Sequence, residues 1–204
     1  FAQETAESFN VHKNEVPETA LLSRRYIAAH QWDKCRALGA DAANALIEAA
    51  TLDASAPRDI KTRLGALRVL AELNLTDSAI HILVGLTASD GRIRTATLET
   101  LATLRVPKTE SAIRALTSDI EPKVRSSVLK ALAQISGLDA LDTLVDGLND
   151  PDRSVRQAAV SALGDCSAID ALGAAFRTTD DGLRIQVLTE LARTQSVSAI
   201  DYAV

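Results

Sequence analysis

An acidic residue and an arginine recur together five times along this 204-residue chain. The acid stands four residues before the arginine, a spacing that places both side chains on one face of a helix. Such a pair could transfer protons, bind an anion or form an ion pair. Successive arginines are 31 residues apart in the first four pairs and 28 apart in the last. The pairs are Asp59 and Arg63, Asp90 and Arg94, Glu121 and Arg125, Asp152 and Arg156, and Asp180 and Arg184.

The regular recurrence favours a structural role for these pairs over catalysis. A residue that every repeat needs is explained by stacking, whereas catalysis requires one assembled site. An aspartate at the start of a helix accepts hydrogen bonds from the free backbone N–H groups there. An arginine one turn later can reach the acid of its own or the neighbouring repeat through its planar guanidinium. We therefore predict a structural ladder along one edge of a repeat protein.

Other residue types that carry chemistry are sparse. The histidines, His12, His30 and His81, are scattered, and none is followed by glutamate. The sequence contains no Cys-x-x-Cys motif, no acid-rich calcium loop and no glycine-rich phosphate loop. We predict no catalytic residue, no metal and no cofactor.

The two cysteines, Cys35 and Cys166, are too few for a disulfide framework, so we expect a reducing cytoplasm. Cys166 lies ten residues after Arg156, at a position of the core stripe, which predicts a buried structural thiol. Cys35 lies between Lys34 and Arg36, whose charges could lower the pKa of its thiol. A reactive thiol at Cys35 is therefore an alternative.

Apolar residues after each arginine show which elements position the pairs. They recur three and seven residues after the arginine, which places them on one face of an amphipathic first helix. A polar break and a second apolar helix follow, and no alternating strand pattern occurs, so the chain is predicted to be all-α. The first-helix stripe consists of Ala66, Thr97, Val128, Ala159 and Val187, and of Leu70, Leu101, Leu132, Leu163 and Leu191.

This pattern resembles the HEAT repeats, in the short variety first described in phycobiliprotein lyases. The segment from Asn149 to Asp165 follows that repeat almost position for position, with its acid, arginine, alanine, Ala-Leu-Gly and Asp. The resemblance covers about residues 19–204. It implies an all-α solenoid, a right-handed superhelix of stacked helical hairpins with about 31 residues per repeat.

The chain divides unevenly. Residues 1–18 show no repeat period, and we expect a loosely ordered tail. An irregular first repeat, residues 19–56, contains Trp32 and is expected to cap the apolar face of its neighbour. Further repeats are expected to begin at about residues 57, 88, 119, 150 and 178.

Charge and hydropathy limit the kinds of partner that fit this chain. The net charge is −5, and acids outnumber Lys and Arg by eleven to five in residues 131–204, whereas residues 92–130 hold eight Lys or Arg against four acids. An acidic chain is a poor binder of nucleic acid, whose affinity depends on phosphate neutralisation. No apolar run reaches the roughly 18 residues of a membrane span. The opposed charges fit a protein partner, or a self-complementary homodimer.

The resemblance implies a binding face but leaves the function open, because such repeats occur in scaffolds, lyases and nucleic-acid enzymes. We predict a scaffold that binds a protein partner and is not itself an enzyme. The alternatives are a phycobilin lyase or lyase subunit, and a nucleic-acid-processing HEAT-repeat protein. In related stacks the second helices line the concave side, so their outward residues are the binding candidates. These are Asn44, Glu48, His81, Arg114, Asp142, Asp146 and Asp170.

Overall fold

A computed structural model describes residues 17–52, 57–106, 108–178 and 181–194 of the chain. Every regular element in these ranges is a helix, which confirms the all-α prediction. Asp180 and all but the last two residues of the expected tail lie outside the described residues.

Five helices carry the recurring arginines and form the first-helix layer. Consecutive members of this layer pack against each other in chain order, as expected for a solenoid. The whole stripe three and seven residues after the arginines is buried, and the α-solenoid prediction is confirmed. The helices are α4 (Pro57–Glu72), α5 (Gly91–Leu104), α7 (Pro122–Ser136), α9 (Arg153–Asp165) and α11 (Asp181–Arg193).

The second-helix layer is less regular. Its α-helices are shorter than those of the first-helix layer, and it contains several 3-10 segments. The layer consists of α3 (Ala43–Thr51), the 3-10 helix Thr76–Thr87, α6 (Glu110–Arg114), the 3-10 helix Gly137–Ala140 with α8 (Leu141–Asp146) and the 3-10 helix Gly147–Asn149, and α10 (Ile169–Thr178).

The segment Thr76–Thr87 differs from the predicted apolar α-helix. A 3-10 helix has three residues per turn, so side chains three residues apart lie on one face. Ile82 and Gly85 accordingly face the core, whereas His81 and Val84 face solvent. An α-helix would distribute the same residues differently, which is why sequence spacing alone did not predict this pattern.

The irregular first repeat comprises α1 (Glu18–Ala28), α2 (Trp32–Leu38), the 3-10 helix Gly39–Ala42 and α3. Helix α2 packs on α4, and the indole of Trp32 lies directly over Gly65. A Cβ atom at Gly65 would fall within 2.7 Å of three indole carbons, so this close approach requires glycine. The ring of His30 also stacks on Trp32, with centroids 5.7 Å apart.

Candidate interaction surface and the arginine ladder

The arginine ladder is built around an ion pair between Arg94 and Asp119. Nε and Nη2 of Arg94 donate to the two carboxylate oxygens of Asp119, each at 2.7 Å. The Nη1 group donates to the backbone oxygens of Ala88 at 2.8 Å and Ser89 at 3.1 Å. Both charged side chains are almost fully buried, with exposures of 9% and 7%. One guanidinium thus joins the turn before α5 to the turn before α7.

The next repeat forms the same arrangement. Arg125 donates to both carboxylate oxygens of Asp150, at 2.7 and 2.8 Å, and to the backbone oxygen of Asp119 at 2.7 Å. Arg156 in turn donates to the backbone oxygens of Asp150 at 2.9 Å and Pro151 at 3.0 Å. Each aspartate therefore contacts the arginine of the preceding repeat through its side chain and that of its own repeat through its backbone.

The acidic partners of Arg94 and Arg125 are thus not the acids that stand four residues before them. Asp119 and Asp150 lie two residues ahead of Glu121 and Asp152, and sequence reasoning assigned them no role. The signal was present, because these two aspartates are themselves 31 residues apart. The predicted acid Glu121 makes only a longer contact with Arg94, at 3.4 Å.

The predicted acids occupy the starts of the first helices. Asp90 accepts a hydrogen bond from the backbone N–H of Arg92 at 2.8 Å, and Asp152 accepts one from Ser154 at 2.8 Å. Glu121 occupies the same N-cap position without a side-chain cap bond. Asp59 lies in the first turn of α4.

The arginines at the two ends of the ladder contact backbone oxygens. Nε of Arg63 donates to the backbone oxygen of Ala50 at 3.0 Å. Nε of Arg184 donates to that of Phe176 at 3.2 Å. Both bonds connect a first helix to the end of the second helix that precedes it in the chain.

Hydrogen bonds stabilise the carboxylate form of Asp119 and Asp150, the two aspartates that bind ladder arginines. Burial alone would raise the pKa of Asp119, but the hydrogen bonds from Arg94 and from the Glu121 N–H outweigh it, and the pKa is lowered. The hydrogen bonds from Arg125 lower the pKa of Asp150 against the opposing effect of burial. The pKa of Asp152 is lowered by its hydrogen bonds with Ser154. These groups are fixed in structural contacts and are poor candidates for proton transfer.

The two thiols, Cys35 and Cys166, differ in burial. Cys35 is completely buried, and burial raises the pKa of its thiol despite the nearby charge of Arg36. Burial and the raised pKa both disfavour the alternative of a reactive thiol, because reactive thiols have a lowered pKa and access to solvent. Cys166 is only half-buried rather than buried, and its thiol donates to the backbone oxygen of Ala133 at 3.9 Å. Burial also raises the pKa of Cys166.

The outward residues predicted for partner binding lie on the second-helix layer. We call this surface the second-helix face. Two large apolar side chains that were not predicted, Ile80 and Val84, lie on the same face with exposures of 57% and 53%. The 3-10 winding places Val84 on the side of His81, three residues earlier, whereas Ile80 lies near the start of the segment. The exposed predicted residues are Asn44, Glu48, His81, Asp142, Asp146 and Asp170.

Arg114 and Glu48 make hydrogen bonds to other side chains of the chain. The guanidinium of Arg114 donates to Oγ1 of Thr143 and, at 3.1 Å, to the backbone oxygen of Asp139. These hydrogen bonds connect α6 to the next segments of the second-helix layer. Arg114 is half-buried. Glu48 accepts a hydrogen bond from Arg24 at 3.1 Å.

Arg114 also lines a cleft of about 330 Å³ between the repeats. Asp146 and the Arg125–Asp150 ion pair lie in the same wall. The charged groups of the ladder thus reach the second-helix face at this point. No group of three or more histidine, cysteine or acidic side chains in the described ranges is placed to hold a metal ion.

No helix in the described parts of the chain has both the length and the apolar character to cross a membrane. The structure therefore gives this fold no membrane-spanning helix among those residues.

Comparisons with known proteins agree with this architecture. Residues 79–164 match the family model of HEAT repeats, which confirms the predicted resemblance over that segment. The chain is thus an α-solenoid in which residues 79–164 are similar to HEAT repeats. Among curated proteins, none matches the sequence significantly.

A solved structure with a similar fold is that of the complex of CpcE and CpcF of phycocyanin lyase from Nostoc sp. PCC7120. The TM-score is 0.57 and the sequence identity is 20%, and the match covers 94% of this chain and 82% of the other. Identity at this level shows a shared fold.

Proposed function

We propose that this chain is a protein-interaction scaffold that binds a protein partner on its second-helix face and carries out no catalysis of its own. The observation that carries the proposal is the exposure of Ile80 and Val84 beside His81. Large apolar side chains that face solvent together are a feature of protein-binding surfaces. Their removal from water would supply binding energy.

Acidic residues extend this face beyond the apolar pair. Asp142, Asp146 and Asp170 are all exposed on later segments of the second-helix layer. Charged groups around an apolar patch act mainly on association rate and specificity. The partner surface that fits is apolar where it meets Thr76–Thr87 and basic where it meets α8 and α10.

The structural neighbour supports a protein partner, because it is a complex of two different proteins. The described fold also suits this role, since a stack of short repeats presents an extended surface for binding. Neither point identifies the partner, which has to be recovered from the source organism.

The apolar patch provides the test of this proposal. The chain is used for affinity capture from the source organism, and the recovered partner is produced as a recombinant protein. The double variant Ile80→Ser and Val84→Ser should weaken its binding by about tenfold or more, since both side chains lose buried apolar area. Because both residues face solvent, thermal stability should change little. Unaltered affinity would contradict the proposal.

A second candidate function is that of a phycobilin lyase or a lyase subunit. The observation in its favour is the similarity in fold to the phycocyanin lyase complex. The test mixes the chain with an apo-phycobiliprotein and bilin and follows visible absorbance after denaturation. A chromophore that stays with the denatured phycobiliprotein would support the lyase, whereas bilin that separates completely would exclude this activity for the chain alone.

A further inference from the structure

The cleft of about 330 Å³ beside Arg114 contains four charged side chains. Two of them neutralise each other, because Arg125 donates to both carboxylate oxygens of Asp150, at 2.7 and 2.8 Å. The other two are Arg114 on α6 and Asp146 on α8. A ligand of this cleft therefore meets one positive and one negative charge that the ladder does not use.

Arg114 has no acidic partner among the described residues. Its guanidinium donates to two uncharged oxygens, Oγ1 of Thr143 and the backbone oxygen of Asp139. The guanidinium of Arg125, by contrast, is half-buried like that of Arg114 and binds a carboxylate. Arg114 therefore keeps donors for a carboxylate from outside the chain, and such charge-assisted bonds are stronger than bonds to uncharged oxygens.

Asp146 is the last residue of α8, and its exposed carboxylate accepts no hydrogen bond from the described residues. It follows Thr143 by three positions, a spacing that makes two side chains neighbours on a helix surface. Because Arg114 contacts Thr143, the two charges lie about one helical turn apart on the same cleft. They do not pair with each other, so each is open to a group of opposite charge.

The apolar walls of the cleft strengthen the contacts of both charges. Leu129 and Val155, which are buried in α7 and α9, line the cleft together with the charged groups. Apolar groups lower the effective dielectric constant, which makes an electrostatic contact stronger than in open solvent. A single anion would still meet Asp146, and a single cation would meet Arg114. The ligand that fits therefore carries both signs.

We propose that this cleft binds an acidic and a basic side chain that lie one helical turn apart on the protein partner. The acid contacts Arg114, and the base, a lysine or an arginine, contacts Asp146. Residues three or four positions apart on a helix have the required separation. The inference rests on the proposed function, because it names the side chains through which the same partner meets the second-helix face.

Neutral substitutions in the cleft test this assignment with the recombinant partner recovered by affinity capture. Asp146→Asn should weaken binding by about fivefold or more, whereas Asp142→Asn, on the same helix but outside the cleft, should change affinity by less than about twofold. Arg114→Gln should also weaken binding by about fivefold or more. Its control is Thr143→Val, which removes the hydrogen bond to Arg114 and keeps the charge. Equal effects of Asp146→Asn and Asp142→Asn, or of Arg114→Gln and Thr143→Val, would overturn the inference.

Double-mutant cycles between the chain and the partner identify the partner side chains. An acid of the partner should couple to Arg114 and a base to Asp146, with the two partner residues three or four positions apart on a helix. Coupling to one sign only, or to residues that are distant on the partner surface, would contradict the assignment. Self-association of the natural chain in light scattering that Asp146→Asn abolishes would do the same, because the occupant would then be a second copy.

The cleft and the apolar patch fail in different ways. A partner whose binding depends on Ile80 and Val84 but not on Arg114 and Asp146 would leave the proposed function standing while rejecting the cleft. Dependence on Arg114 and Asp146 but not on Ile80 and Val84 would retain the cleft and contradict the apolar patch.

Discussion

Arg94 and Asp119 form a two-bond ion pair that joins consecutive repeats while both side chains are almost excluded from solvent. Removing one partner of such a pair leaves an uncompensated buried charge, which costs about 3–5 kcal/mol. Asp119→Ala should therefore lower the free energy of unfolding by about that amount, as measured by urea denaturation.

A double variant separates the effect of the buried charge on stability from the effect of packing. Replacing both residues, with Arg94→Met and Asp119→Leu, removes both charges and keeps apolar volume at the site. The free energy of unfolding should recover a large part of the loss, because no buried charge stays unpaired. If Asp119→Ala alone has no effect on stability, the ion pair does not hold the repeats together.

The lowered pKa values of Asp119 and Asp150 predict a dependence of stability on pH. Each carboxyl binds a proton more readily in the unfolded chain, so stability is fully present above the unfolded pKa of about 4. It is lost as pH falls from there through the lower folded pKa. Urea denaturation at a series of pH values should show this decline, and Asp150→Asn should make it shallower. An equally steep decline in that variant would show that Asp150 does not contribute.

The N-cap of α9 makes a smaller contribution to the free energy of unfolding, which can be measured separately. Asp152→Ala removes the hydrogen bonds to Ser154 and should lower the free energy of unfolding by less than Asp119→Ala does. Glu121→Ala is the matched control, because Glu121 occupies the N-cap of α7 without a side-chain cap bond. Thermal denaturation should show a larger loss for Asp152→Ala than for the control. Equal losses would contradict the capping role, and loss of partner binding without loss of stability would instead give Asp152 a function in recognition.

The contact of Trp32 with Gly65 can be followed by its own fluorescence, since Trp32 is the only tryptophan of the chain. Gly65→Ala places a Cβ atom against the indole, which has to move, and overpacking of this kind typically costs about 1–3 kcal/mol. We expect a shifted emission maximum and reduced stability. Gly39→Ala is not a suitable control, because Gly39 has a positive φ of 59°. Ala37→Gly, at an exposed position of α2, tests whether a surface change nearby has the same optical effect.

The first-helix layer could be predicted from sequence because its determinants are strictly periodic. A residue seven positions after each arginine is leucine in every repeat, and all five leucines are buried. This spacing depends only on α-helical geometry, and all five first helices are α-helices. The stacking order then follows, because each helix can bury its stripe only against its neighbours.

The partners of the ladder arginines could not be predicted in the same way. Both Asp119 and Glu121 stand close enough in sequence to serve, and the choice depends on the path of the turn before α7. In that turn the backbone N–H of Glu121 donates to Asp119 at 2.9 Å, which fixes the carboxylate towards Arg94. Local backbone geometry of this kind does not appear as a periodic pattern.

The exposed apolar pair was missed for a related reason. Alignment on the alanine of each second helix places Ile80 in register with Ile113, which is completely buried. Three residues per turn would place Ile80 on the side of Leu83 and of Leu86, which is buried, so neither the α-helical nor the 3-10 spacing predicts that Ile80 is exposed.

The central claim, that the second-helix face binds a protein partner, is tested most directly by reversing its charge. Asp142→Lys and Asp146→Lys are combined, and affinity for the partner recovered by capture is measured by calorimetry. The matched control combines Arg68→Glu and Lys130→Glu, two exposed residues of first helices. We predict that the aspartate variant binds about tenfold or more weakly, with unchanged helicity and melting temperature, and that the control binds like the natural chain. Full binding by the aspartate variant together with loss in the control would place the partner on the first-helix side and contradict the account.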